Sequence, residues 1–444
     1  MRKTLSEIEL PVSQEREKAV YVESYGCSAN KFDLEIMLAK LIGAGYKTIH
    51  EAGLADVILI NTCAVKKPTE DRILERLRVL SLLNKPLIVS GCLPKIDLKA
   101  IRKSASSFSA ALDPYSAERI LEAVIAAENG ERNRLFFSEK PGAKLLQPKI
   151  RLNKLVEIVQ ISEGCAGACS FCCVRFARGR LVSYPKELIV KRVEESVSQG
   201  AREIWITSQD TGAYGLDTGT DLAELLEDCC GIDGDFLIRV GMMNPNHVSA
   251  ISKQLARVYK DSRIFKFLHL PVQSGDDEVL EWMNRSYSVK DFERIVSTFR
   301  KEMPEITLST DIICGFPGET EAAFEKTIDL VRRVKPDIIN VSRFFPRPGT
   351  RAENMRQLPI EEAKSRSRYL SRIAKEISYE RNKLWLDWEG RILIDERGRD
   401  DTWVGRNFAY KPVVVQSQED LFGEFVSVRV DDVFPTYLEA EVFG

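Results

Sequence analysis

Cys165, Cys169 and Cys172 stand in the stretch Glu163-Gly164-Cys165-Ala166-Gly167-Ala168-Cys169-Ser170-Phe171-Cys172, a C-x3-C-x2-C spacing. Three thiolates spaced in this way reach three corners of an iron–sulfur cube and leave one iron without a protein ligand. That open iron is where a substrate can bind and chemistry can start. A structural zinc site wants a fourth protein ligand, and the neighbourhood offers no histidine. Only Cys173 is at hand, and its adjacency to Cys172 makes joint chelation awkward. The spacing therefore favours an iron–sulfur cluster over zinc.

Ten cysteines in a chain of 444 residues need an explanation. The first eighteen residues alternate charges with isolated apolar residues and lack the apolar core of a secretion signal. The longest apolar runs, such as Val57 to Ile60 and Leu87 to Val89, are far shorter than the roughly 18 residues that cross a bilayer. A cytoplasmic protein with no membrane segment is expected, and its thiols stay reduced there, so metal binding or burial must account for most cysteines. Net charge is −2, which gives the whole molecule no electrostatic attraction for nucleic acid. A local basic run, Arg132, Arg134, Lys140, Lys144, Lys149, Arg151 and Lys154, is either an RNA patch or a solvated linker.

The elements that must position these thiols form an α/β protein in three parts. From residue 19 to 129 short apolar runs alternate with helical stretches, the pattern of a small doubly wound domain. Its strands are expected at Val20 to Ser24, Asp56 to Thr62 and Pro86 to Ser90, with Asn30 capping a helix and Pro68 in the first turn of another. Gly43 to Thr48 reads as a helix cap and turn. Cys27, Cys63 and Cys92 each fall just past the carboxyl end of a strand, the crevice where ligands bind in open α/β sheets. They are 36 and 29 residues apart, and the topology brings them to one edge. Two readings stay open: a second three-cysteine cluster site, or three separate half-buried cysteines.

Residues 1–18 read as an N-terminal extension and 130–150 as a linker. From 151 to 378, six strands with helices between them (Leu155 to Ile161, Glu203 to Thr207, Phe236 to Val240, Phe265 to Pro271, Thr307 to Ile313, Asp337 to Val341) fit a partial (β/α)6 barrel. The stretch is too short for a closed eight-unit barrel. The Cys165 loop follows the first of these strands. After a charged helix, residues 379–444 change to β-rich runs that fit a small antiparallel β barrel.

The C-x3-C-x2-C motif with an aromatic before its last cysteine resembles the radical S-adenosylmethionine superfamily. Tyr25-Gly26-Cys27, Asn61-Thr62-Cys63, Ser90-Gly91-Cys92, His269 to Gly275, Asp311 to Glu319 and Pro346 to Thr350 narrow the resemblance to the methylthiotransferases. Arg175 and Tyr184 stand where bacterial members carry proline and arginine, which places the likeness closest to the archaeal and eukaryotic threonylcarbamoyladenosine tRNA methylthiotransferases. Eukaryotic members add a C-terminal membrane anchor; here Gly444 follows the β domain, so a soluble archaeal-type enzyme is expected.

The resemblance implies two [4Fe–4S] clusters, one on Cys165, Cys169 and Cys172 that generates a radical from S-adenosylmethionine, and an auxiliary one on Cys27, Cys63 and Cys92 that delivers sulfur. It also implies S–CH3 insertion at C2 of the modified adenosine at tRNA position 37, an electron donor and a sulfur source. Isopentenyladenosine of tRNA and an aspartate of a ribosomal protein are the sister acceptors. A non-catalytic iron–sulfur or RNA-binding protein is the reading from another class, and it needs neither an open iron nor a partial barrel.

Gln209, Asp210, Arg239, Gln273 and Asp311 lie at or beyond strand ends, as grips for S-adenosylmethionine or as helix caps and buried hydrogen-bond partners. Arg175, Arg178 and Arg180 follow the cluster loop and are candidates to hold a carboxylate or a phosphate, against plain surface charge. Cys173, Cys229, Cys230 and Cys314 complete no spaced set and read as packing residues, and three scattered histidines make no metal site. The terminal barrel resembles the TRAM module, an RNA-binding fold. From Tyr379 to Gly444, however, eight basic residues face fourteen acidic ones, a net of −6. RNA contact there would rest on Arg397, Arg399, Arg406 and Lys411, with Phe408 and Tyr410 for stacking; the alternative is an acidic barrel docked on the enzyme's own body.

Overall fold

The structure, a computed structural model, describes residues 17–443, so nearly all of the expected N-terminal extension lies outside the described residues. Six parallel strands form the first sheet: β1 (Lys18–Ser24), β2 (Tyr46–Ile49), β3 (Val57–Thr62), β4 (Leu87–Gly91), β5 (Ala110–Leu112) and β6 (Arg134–Phe136). Their order is β2-β1-β3-β4-β5-β6. β3 and β4 are buried along their whole length, as continuous apolar runs covered on both faces should be.

Three of these strands correct the sequence reading. Tyr46–Ile49 pairs with Lys18–Tyr21 where a cap and turn is expected, Ala110–Leu112 adds β5, and Arg134–Phe136, inside the expected linker, closes the far edge. β2 and β6 are short edge strands with exposed positions, which leaves little apolar signal in the sequence. Helix α1 (Ser28–Gly43) has Cys27 at its N-cap, so Asn30 is a buried residue of the first turn and not the cap. Helix α2 (Lys67–Ser81) carries Pro68 in its first turn as expected.

β7 (Val156–Gln160) opens the second part and is followed by a two-residue antiparallel pair, β8 (Ser162–Glu163) with β9 (Val182–Ser183). Then come β10 (Glu203–Thr207), β11 (Leu237–Val240), β12 (Phe267–His269), β13 (Thr307–Cys314) and β14 (Ile338–Arg343). Two parallel sheets, β11-β10-β7 and β12-β13-β14, meet at the bridge between Ile238 and Ile264 and make the partial barrel. Alternation along the strands decides what faces where. Val159, Ile204, Ile206, Ile238 and Val240 pack outward against the helices. Trp205, Arg239 and Phe267 meet one another on the opposite, inner face.

Five strands, β15 (Glu389–Arg397), β16 (Thr402–Arg406), β17 (Pro412–Gln416), β18 (Phe425–Val433) and β19 (Leu438–Val442), close into the terminal barrel. Four pairings are antiparallel and one, β17 with β19, is parallel. This barrel sits against the amino ends of the central strands. Asn153 Nδ2 donates to Asp395 O (2.8 Å), Lys266 N to Phe408 O (2.8 Å) and Lys411 Nζ to Asp337 Oδ1 (3.0 Å).

The segment before β7 is also not a solvated linker. Lys144 Nζ pairs with Asp33 (2.6 Å) and Glu163, and Lys149 Nζ with Glu35 (2.5 Å) and Glu157 (3.0 Å), all with side chains at most 2% exposed. These pairs tie α1 of the first domain to the first strands of the central barrel. They also remove Lys144 and Lys149 from any RNA patch.

Candidate active site

The sheet order makes β1, β3 and β4 neighbours, so the loops carrying Cys27, Cys63 and Cys92 leave one edge side by side. Asparagines tie them together. Asn61 Nδ2 donates to Asn30 O (2.7 Å), while Asn30 Nδ2 donates to Thr62 O (2.7 Å) and Tyr25 O (3.0 Å). Gly91 precedes Cys92 at φ +94°, and a Cβ there would lie 2.3 Å from Thr62 O. Only glycine lets the β4 exit pass that close to β3.

The Cys165 loop is held differently. Gly164 takes φ +70° with Arg180 O where a Cβ would be, and Cys165 N donates to Gly179 O (3.3 Å). Gly167 N donates to Cys165 Sγ (3.2 Å) and Arg285 Nη1 to Cys169 Sγ (3.2 Å). Burial pushes the free thiols up, Cys165 to about 11 and Cys92 and Cys172 to about 12, with Cys63 also raised. Metal binding to them therefore releases protons.

All six cysteines line one cavity of about 750 Å³. Gln209, Arg239, Asp311, Arg175 and His269 share its wall. Three thiolates to a set are the donors that an iron–sulfur cluster takes.

Asp311 accepts hydrogen bonds from His269 Nε2 (3.2 Å) and Asn340 Nδ2 (2.8 Å). Burial acts to raise its carboxyl, but the His269 and Asn340 hydrogen bonds bring it below the ordinary value, so it is ionised at neutral pH. Gln273 takes φ +68° and lines a second cavity of about 440 Å³ that shares Asp311 with the first. His269 and Asn340 escaped the sequence reading as site residues. His269 lies inside a quoted motif, whereas nothing local marks Asn340.

Several expected site residues have other partners. Asp210 is buried, accepts from Gly212 N (3.1 Å) and Asn244 N (3.0 Å), and pairs with His247 Nδ1 (2.7 Å), so it caps and braces instead of facing the cavity. Arg178, 1% exposed, lines the cavity but commits its Nη2 to Asn30 Oδ1 and Asp33 Oδ2 (both 2.6 Å). It latches the cluster loop to α1. Lys411 is buried on Asp337 and Asn382. Phe408 packs on Trp385 and Trp388, and Tyr410 on Phe265 and Phe267, which removes both from RNA stacking. Arg180, Arg397 and Arg399 are exposed, and Arg406 is half-buried over Tyr410. Cys173, Cys229, Cys230 and Cys314 are buried, as packing residues should be.

Three family models match the chain: Radical SAM superfamily over residues 159–331, Uncharacterized protein family UPF0004 over 19–112 and TRAM domain over 389–443. The Pyrococcus horikoshii protein named "Probable threonylcarbamoyladenosine tRNA methylthiotransferase" is 43% identical over 95% of this chain and 99% of its own length. The Homo sapiens protein named "Threonylcarbamoyladenosine tRNA methylthiotransferase" is 36% identical over 93% of this chain and 72% of its own. The chain belongs to the threonylcarbamoyladenosine tRNA methylthiotransferase family. Membership of the radical SAM superfamily brings with it a [4Fe–4S] cluster and S-adenosylmethionine. The likeness extends to fold: the Kitasatospora setae radical S-adenosylmethionine methyltransferase TsrM, solved with cobalamin and a [4Fe–4S] cluster, matches with TM-score 0.57 at 14% identity, over 76% of this chain and 74% of its own. Among the described residues, no helix is long and apolar enough to cross a membrane.

Proposed function

We propose that this chain replaces the hydrogen at C2 of N6-threonylcarbamoyladenosine 37 in tRNA with S–CH3, working in the cytoplasm with an external electron donor and a sulfur source. The observation that carries the reading is the single cavity lined by both cysteine sets, because sulfur and radical must reach one carbon. When bound, a cluster on Cys165, Cys169 and Cys172 with S-adenosylmethionine supplies a radical able to remove an unactivated hydrogen, and a second cluster on Cys27, Cys63 and Cys92 supplies sulfur.

The remaining residues position the reactants. Ionised Asp311, with Gln209, Arg239 and Gln273 near it, offers acceptors and donors for the amino, carboxylate and ribose groups of S-adenosylmethionine. Arg239 lies among Trp205, Phe267 and Tyr410, with ring centroids 5.3–5.4 Å away. Those rings hold its guanidinium in place beside the cavity. Arg175 and Arg351 on the same wall are the cations available to the threonylcarbamoyl carboxylate. Exposed Arg180, Arg397 and Arg399, and half-buried Arg406, remain for tRNA phosphates.

The test is mass spectrometry of nucleosides from tRNA carrying threonylcarbamoyladenosine, after incubation with anaerobically reconstituted protein, S-adenosylmethionine and reductant. A gain of S–CH3 on that nucleoside is expected. Formation of 5′-deoxyadenosine without that gain would move the acceptor to isopentenyladenosine or a ribosomal aspartate.

A further inference from the structure

The segment just past helix Asp277–Trp282 clamps the Cys165 loop from behind. Ser170 N donates to Met283 O (3.0 Å), Ser170 Oγ to Trp282 O (2.7 Å) and Asn284 Nδ2 to Ala168 O (2.7 Å). Asn284 turns the chain through φ +56°. That turn delivers Arg285 to the back of the loop, where Nη1 meets Cys169 Sγ at 3.2 Å.

The guanidinium is seated against two rings, Phe171 at 5.9 Å and Tyr287 at 5.4 Å. Tyr287 is itself anchored by its hydroxyl on Pro271 O (3.1 Å) and Val272 O (2.9 Å). Arg285 has no carboxylate partner among the described ion pairs, and its Nε is buried without an acceptor among the described residues. A half-buried cation with a buried, unpaired Nε is costly to keep unless something anionic lies beside it. Hydrogen bonds to the sulfurs and local charge set the potential of an iron–sulfur cluster, and positive charge favours the reduced form.

We propose that Arg285 is a positioning residue for the cluster on Cys165, Cys169 and Cys172: by donating to Cys169 Sγ it makes that cluster easier to reduce than the three thiolates alone would. The proposal rests on the reading that these cysteines hold the cluster. Arg285 stands behind the loop and off the cavity wall, so it acts through Cys169 without touching substrate.

The test is potentiometric titration, followed by electron paramagnetic resonance, of the full-length reconstituted protein and its R285M and R285K variants, with iron and sulfide assayed on each. Cys63→Ala in the same background assigns the signals to one cysteine set or the other. R285M is expected to lower the ratio of reduced to oxidised cluster about tenfold at a fixed poise, a shift of about 59 mV for a one-electron couple. R285K, which keeps the charge but not the planar fork, should shift it less, and the signal from the Cys27 set should not move. Equal potentials in R285M and parent, or equal shifts of both clusters, would overturn the proposal. Loss of iron from the Cys165 set in both variants would also overturn it, making Arg285 an assembly residue. Absence of a Cys165-set signal in the parent protein would instead defeat the cluster reading itself.

Discussion

The two ends of the central barrel use charge in opposite ways. At the carboxyl ends of its strands lie the loops with Cys165, Gln209 and His269, around a cavity lined by six thiols and by Arg175 and Arg351, which have no carboxylate partner among the described ion pairs. At the amino ends the terminal barrel is seated, and there charged groups are taken up. Asp337 binds Lys411 and Arg381 (both 3.0 Å), Lys411 also binds Asn382, and Glu203 faces Asp395. The same strands thus end in reactivity on one side and in stability on the other, as parallel α/β barrels divide their faces. The terminal barrel is more than an appended module: its Tyr410 reaches between Phe265 and Arg239 into the barrel interior.

Substitutions at the carboxyl end should remove activity at little cost in stability. Cys165→Ala is expected to abolish reductive cleavage of S-adenosylmethionine, and Cys63→Ala to spare cleavage but stop sulfur insertion. Chromatography of 5′-deoxyadenosine beside nucleoside mass spectrometry separates the two, and the cluster-free variants should unfold within about 1 kcal/mol of the cluster-free parent. Equal loss of cleavage in both variants would break the division between the two cysteine sets.

At the amino end the balance should reverse. Asp337→Asn leaves Lys411 and Arg381 without their carboxylate, and breaking a buried pair in this way typically costs about 3–5 kcal/mol. The denaturant midpoint should fall accordingly, while cleavage per folded molecule stays within about twofold. A collapse of cleavage in protein that is still folded would mean that loss of the Asp337 pairs is passed to the cavity through Tyr410, which packs on the cavity-wall Arg239.

How much of this was legible depended on how far each residue's partners lie along the chain. Cys165, Cys169 and Cys172 stand within eight residues, so their spacing is itself the signal. Cys27, Cys63 and Cys92 become a set only through sheet order, which the strand pattern and the family likeness supplied together. The six central strands are readable because each carries apolar residues between helical stretches, whereas β2 and β6 are short edges with exposed faces. Charge gave the weakest guidance. Arg178, Lys144 and Lys411 look like surface cations in sequence, and partners 145, 111 and 74 residues away bury them. Arg285 went unnoticed for the same reason: its sulfur partner is 116 residues away.

A pH titration sharpens the contrast at the amino end. Burial, and then the facing Asp395, push Glu203 from its ordinary 4.5 up to about 7, against the hydrogen bond from Trp205 Nε1 (2.7 Å) and the nearby Arg406 and Arg239. The native pair therefore holds a proton that the unfolded chain has already released, and stability falls as pH rises through about 4.5 to 7. Asp337, held below its ordinary value despite burial by Lys411 and Arg381, loses its contribution only on further acidification, so the two effects occupy separate ranges. Glu203→Gln should flatten the upper window and leave the acid limb in place; an unchanged slope would remove the carboxyl pair as its source.

The smallest effect concerns the outer face of the terminal barrel, where the net of −6 works against RNA and any contact must be local. Arg397, 71% exposed, and Arg399 lie at the hairpin between β15 and β16, and Arg397 makes a long 3.9 Å contact with Asp401 and lies over the Trp403 ring at 5.6 Å. If both meet phosphate, replacing the two by alanine should weaken tRNA binding several-fold at low salt and reduce the slope of log affinity against log salt by about 1–2. Neither the denaturant midpoint nor S-adenosylmethionine cleavage without tRNA should change, because neither side chain takes part in the docking contacts. An unchanged slope would leave the terminal barrel with one role, closing the amino end of the central barrel, and would shift the tRNA footprint to the rim of the cavity around Arg175, Arg180 and Arg351.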